Sequence, residues 1–150
     1  MRTPSSIDRR QIRDHGVFEE IYSRELTRLA AVGVANPEVI STGGNCYALT
    51  GDAGYAPDGR SIYLLATTNG DPALTTETPV TSWAVGLYET QGDSVALAMG
   101  EASVEALADS PDPLGCAVTR ARTALHQYAG EAPDGKSALI GDQGLTWVPA

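Results

Sequence analysis

The sequence predicts an α+β domain: a mainly antiparallel sheet of four to six strands, packed by an N-terminal helix and a second long helix. Three observations predict it. Phe18, Ile21, Tyr22, Leu26, Leu29 and Val32 recur at spacings of three and four, the period of a helix with one apolar face. Trp83, Val85 and Leu87 alternate with Ala84, Gly86 and Tyr88, and Val95, Leu97 and Met99 alternate with Ala96 and Ala98, the period of a strand. Asp112 and Pro113 open a further stripe of Leu114, Ala117, Val118, Ala121, Leu125 and Tyr128. At 150 residues the chain is the size of one domain with its own core, so 1–150 is taken as a single unit.

The first seven residues are polar, and residues 1–16 are expected to form a mobile or helical arm. A helical stretch runs from Asp8 to about Ala31, with Gly16 delaying its start or breaking it. Gly33 stops it, and Asn36-Pro37 starts a turn. Val39–Thr42 and Cys46–Thr50 are extended runs around Gly43-Gly44-Asn45, which suits either a tight hairpin or a bulge in one long strand.

Pro57-Asp58-Gly59 is a turn signal, because Pro presets φ and Gly supplies positive φ. Ser61–Thr67 is an apolar run of strand length. The polar connection from Asn69 to Pro79 is long for a compact domain, which favours function or mobility. Gln91-Gly92-Asp93 joins the two alternating strands, whose bulky faces are expected to lie under the helices. Ser103 to Asp109 is expected to be a short helix capped by Ser103, and Gly130 closes the helix begun at Pro113. Ala138–Ile140 and Leu145–Val148 flank Gly141-Asp142-Gln143-Gly144 as a short terminal hairpin.

The formal net charge is −9, from 10 Lys+Arg against 19 Asp+Glu. Residues 1–28 hold six Arg and five acids, so the excess belongs to residues 29–150. Such a body repels phosphates, which argues against ordinary nucleic-acid binding. It also suits solubility, or an acidic face that meets a basic partner or mimics nucleic acid. No apolar run approaches the ~18–20 residues that a membrane-spanning helix needs. No apolar stretch follows Met1-Arg2-Thr3-Pro4-Ser5-Ser6, so a secretory signal is not expected. With two separated cysteines, Cys46 and Cys116, the expectation is free thiols in a reducing cytoplasm.

The side chains that carry chemistry form no complete set. His15 and His126 lack zinc-enzyme spacing, and no phosphate-binding glycine loop is present. Thr68-Asn69-Gly70-Asp71 offers oxygens to a cation, although a Gly/Asn/Asp turn explains it more simply. Arg9, Arg10 and Arg13 form a basic cluster interleaved with Asp8 and Asp14, suited to a solvated helix face or to docking on an acidic surface. These Arg residues, with Asn69 and Asp71, are the candidate binding residues; no cofactor and no metal site is expected.

Gly43-Gly44-Asn45-Cys46-Tyr47-Ala48-Leu49 resembles the nucleophile neighbourhood of papain-like cysteine hydrolases. The resemblance implies a nucleophilic Cys46 served by His126, or by His15, as the base that holds the thiolate. It departs from that family where Gly51, Asp52 and Gly54 stop the helix that the family's Cys opens. A small apolar side chain in a strand is the commoner role for such a cysteine. Asn36-Pro37-Glu38-Val39, Ser41–Cys46 and Thr67–Asp71 together resemble small uncharacterised accessory proteins of actinobacteria and their phages and mobile elements.

The function expected from all this is that of a non-enzymatic accessory protein of the cytoplasm, which binds another protein and inhibits or regulates it. The alternatives are a cysteine-dependent hydrolase using Cys46 and His126, and a small-ligand module with a pocket beside the 68–80 loop. A homo-oligomer, its Arg arm on another copy's acidic face, is compatible with the sequence.

Overall fold

The computed structural model describes residues 16–43, 46–69, 73–75, 79–89, 96–105 and 112–149. Its centre is one seven-stranded sheet in chain order: β1 (Ala35–Gly43), β2 (Cys46–Tyr55), β3 (Ser61–Thr68), β4 (Ser82–Tyr88), β5 (Ala98–Ser103), β6 (Lys136–Gly141) and β7 (Gly144–Pro149). All neighbours are antiparallel except β5 and β6. The chain between that pair carries helix α2 (Pro113–Thr123), because parallel strands need a long crossover.

The class is α+β, but the expected sheet of four to six mainly antiparallel strands flanked by two long helices is corrected to a mixed seven-stranded sheet with one long helix. The extra strands have two sources. Gly43 pairs with Cys46, so the glycine-rich link reverses the chain and separates β1 from β2. The terminal hairpin joins the main sheet through β6.

The N-terminal helical stretch is divided at Tyr22, and its expected start at Asp8 lies outside the described residues. Residues 16–21 are helical, Tyr22 turns at φ −104° and ψ 20°, and α1 (Ser23–Ala31) follows. The Tyr22 ring meets Trp83 edge-on at 5.7 Å, and its hydroxyl donates to the carbonyl oxygen of Thr75. Phe18, Tyr22 and Leu29 are buried, whereas Ile21 is 47% exposed despite its place in the stripe. Gly33 ends α1 with φ +86°, as its backbone freedom allows.

Asn36-Pro37 does not start a turn: both residues lie in β1, where a register shift between Ala35 and Glu38 and φ +52° at Asn36 make a bulge. The Pro57-Asp58-Gly59 turn stands, with Gly59 at φ +91°. Asp112 accepts the Gly115 N–H at 2.9 Å and Pro113 occupies the first turn of α2, as their order predicts. α2 continues as a π-helix (Ala124–Tyr128) and a 3-10 turn (Ala129–Glu131), so Gly130 does not close the helix but lies within its last turn. Ser103 is the last residue of β5, and residues 106–109 of the short helix expected after it lie outside the described residues. The Gln91-Gly92-Asp93 hairpin and the N-terminal arm lie outside the described residues, apart from Gly16.

Both helices lie on one side of the sheet. Leu49, Leu64, Ala66, Trp83, Val85, Leu87, Ala98 and Ala102 point toward them and form the core with Leu29, Leu114, Ala117, Val118 and Ala121. On β4 the bulky face points inward as expected. On β5 the expectation fails: Ala98, Gly100 and Ala102 lie under α2, and Met99 points away. The backbone of α2 sits so close that a Cβ on Gly100 would stand 2.2 Å from the Ala117 carbonyl oxygen. Only the small face of β5 fits beneath it.

Candidate interaction surface

The second face of the sheet follows from the same parity. Successive side chains in a strand alternate sides, and paired residues share a side. Ile40, Ala48, Tyr63, Leu65, Ala84, Gly86, Tyr88, Met99, Leu139 and Val148 therefore share the side away from the helices. Ile40, Tyr63, Leu65, Tyr88, Met99, Leu139 and Val148 are half-buried, and among the described residues no helix lies over this side. Tyr88 turns back across Gly86, where an added Cβ would stand 2.7 Å from its ring. Burial in that position raises the Tyr88 hydroxyl above its ordinary value.

The charges on this face have one sign. Glu38, Asp52 and Glu101 occupy its strand positions and are exposed, and no described Arg or Lys occupies one. Four described arginines are engaged elsewhere. Arg28 faces Asp112 at 3.7 Å, Arg60 pairs with Asp58 at 2.7 Å and Glu89 at 3.2 Å, and Arg120 pairs with Asp142 at 2.7 Å. Arg122 donates to the carbonyl oxygen of Val32, tying α2 to the end of α1. The result is an apolar centre within a carboxylate rim.

The residues singled out in the sequence are dispersed. Cys46 opens β2 at a corner of the open face, sharing parity with Ala48 and Thr50. His126 is exposed on the π-helical turn, on the helical side of the sheet. The sheet therefore stands between the two side chains, and the structure does not bring them together as a nucleophile and its base. Cys116 is half-buried against the core, because α2 packs on α1 as well as on the sheet. Both thiols are free.

Asn69 is occupied by its own loop. With φ +58°, it accepts the Thr81 N–H at 2.6 Å and donates to the Pro79 carbonyl oxygen at 3.0 Å. These bonds hold the two ends of the 69–79 connection together. Thr68 likewise accepts the Thr75 N–H at 2.9 Å. Arg9, Arg10, Arg13, His15 and Asp71 lie outside the described residues. No group of three or more metal-ligating side chains occurs among the described residues.

Two clefts are described, neither beside the 68–80 loop. One, of about 330 Å³, lies between the Ala56–Arg60 turn and the end of the helical crossover and is lined by Leu97, Leu125, Ala129 and Lys136. The other, of about 430 Å³, lies between Gly33, Asp52, Tyr55 and Tyr63. Among the described residues no helix is long and apolar enough to cross a membrane.

The open face was hidden in the sequence for one reason. Its seven half-buried members come from six strands, and each of these carries only one or two of them. The signal that would have found it is the odd–even split itself: Leu65, Met99 and Leu139 sit at positions whose neighbours already supply the core. No family model, curated protein or solved structure matches this chain.

Proposed function

We propose that this chain is a non-enzymatic binding protein that docks, through the open face of its sheet, on a partner protein whose basic residues surround an apolar centre. The face itself carries the reading: Leu65, Tyr88, Met99 and Leu139 are half-buried on a side over which no described helix lies, and its described charges, Glu38, Asp52 and Glu101, are all acidic. A contiguous apolar patch with a polar rim is the usual anatomy of a protein interface. Like-signed carboxylates at the rim steer a basic partner and disfavour acidic ones. Inhibition or regulation of the partner follows from covering its surface. The resemblance to actinobacterial and phage accessory proteins and the two free thiols support an accessory role in the cytoplasm.

The test compares capture of proteins from a cell lysate by the wild-type chain and by Leu65→Glu and Met99→Glu. Circular dichroism establishes that each variant is folded. The reading expects a basic protein, retained at low salt and released at high salt, whose affinity falls at least about ten-fold in each variant. On binding, the backbone amides of β3, β4 and β5 become protected from hydrogen exchange. Equal capture by wild type and variants, protection confined to α1 and α2, or no protein retained at low salt overturns the reading.

A further inference from the structure

The two edges of the sheet differ. A strand edge presents unpaired N–H and C=O groups, and proteins guard such edges with bulges, proline and charge. The β1 edge is guarded: it holds Pro37, Glu38, positive φ at Asn36 and two register shifts. The β7 edge is not. Gly144 to Val148 pair with β6 without any shift, and Gly144-Leu145-Thr146-Trp147-Val148 carries no charge. On a chain of net charge −9, this is an edge that another acidic copy can approach without like charges meeting.

Leu145 adds a second observation. It is 38% exposed on the helical side of the edge, a large apolar side chain beside unpaired backbone. Two β7 strands related by a two-fold axis perpendicular to the sheet would run antiparallel, with like faces aligned. Centred on Thr146, the register sets Leu145 against the second copy's Trp147 and Gly144 against its Val148. Pro149, which lacks an N–H, falls just beyond the pair. Pairing of β7 with β1 of another copy would instead be head-to-tail and open-ended, and the bulges of β1 oppose it.

We infer that β7 is a self-association edge: two copies join β7 to β7 antiparallel about Thr146 into a continuous fourteen-stranded sheet, twice the seven strands of one copy. A single strand pair is a small interface, so the dimer is weak and reversible. It leaves the open faces of both copies on the same side, and it stands or falls independently of what those faces bind.

Sedimentation velocity across a dilution series tests this on the full chain. The wild type is expected to shift from monomer toward dimer as concentration rises. Thr146→Glu places two carboxylates against each other across the axis, and Leu145→Ser removes the apolar contact; each should raise the concentration of half-dimerisation at least about ten-fold. Ser41→Glu, on the guarded edge, should leave it unchanged. Circular dichroism shows whether each variant keeps its fold. A wild type that is monomeric throughout, a dimer indifferent to both β7 variants, or open-ended polymers overturn the inference.

Discussion

The Arg120 guanidinium nitrogen Nη1 stands 2.7 Å from the carboxylate of Asp142 and 2.7 Å from the carbonyl oxygen of Glu101. One side chain thereby ties α2 to β5 and to the turn between β6 and β7. Asp142 also accepts the Ser103 N–H at 3.2 Å. The hydrogen bond from Arg120, then that from Ser103, holds the Asp142 carboxyl below its ordinary value.

A pH dependence follows from that pair. A carboxyl depressed in the folded state contributes stability that is full above its unfolded value, near ~3.9, and is lost as pH falls through the folded value. Asp142→Asn and Arg120→Gln should each lower stability by about 1 kcal/mol at neutral pH, within the range for partly exposed pairs. Each should also flatten the acid limb of the stability curve. Urea denaturation from neutral pH down to about pH 3 measures both effects.

Gly100 and Gly16 should respond in opposite directions to alanine. At Gly100 an added Cβ meets the Ala117 carbonyl oxygen at 2.2 Å and the Ala121 nitrogen at 2.4 Å, both backbone atoms that cannot rotate away. Gly100→Ala must push α2 off β5, and a loss of about 3 kcal/mol is expected. At Gly16, which is helical, an added Cβ meets nothing within 4 Å. Gly16→Ala should raise stability by about 0.5 kcal/mol. Thermal unfolding of the two variants separates these outcomes.

Tyr22 is the pin of the N-terminal helical segment. Its hydroxyl donates to Thr75, and burial, ahead of its other interactions, raises its ionisation above the ordinary tyrosine value. The folded state therefore favours the neutral phenol. That contribution is full below the unfolded value near ~10 and is lost as pH rises through the folded one. Tyr22→Phe should reduce stability by about 1 kcal/mol at neutral pH and remove this residue's share of the alkaline loss. It should also speed hydrogen exchange at the Thr75 amide, which Thr68 holds in place.

Much of this fold was legible from local signals, because those signals act through nearest neighbours. Asp112 and Pro113 define the start of α2 through one hydrogen bond and one preset dihedral. Gly33 and Gly59 mark reversals that need positive φ. The Trp83, Val85 and Leu87 alternation identifies the buried face of β4 without knowledge of its partners. The acid excess of residues 29–150 likewise needs no structure.

Tertiary structure decided the rest. The face of β5 that goes inward depended on how closely α2 descends, and that distance is set by Gly100 and the small side chains beneath the helix, not by the hydrophobicity of β5. The terminal hairpin entered the main sheet by parallel pairing across a long crossover, a contact between residues far apart in the chain. Cys46 and His126 fell on opposite sides of the sheet, because strand parity and helix placement are settled separately. The open face exists only when seven strands stand side by side. Local sequence selects conformations; only packing selects which surfaces are left uncovered.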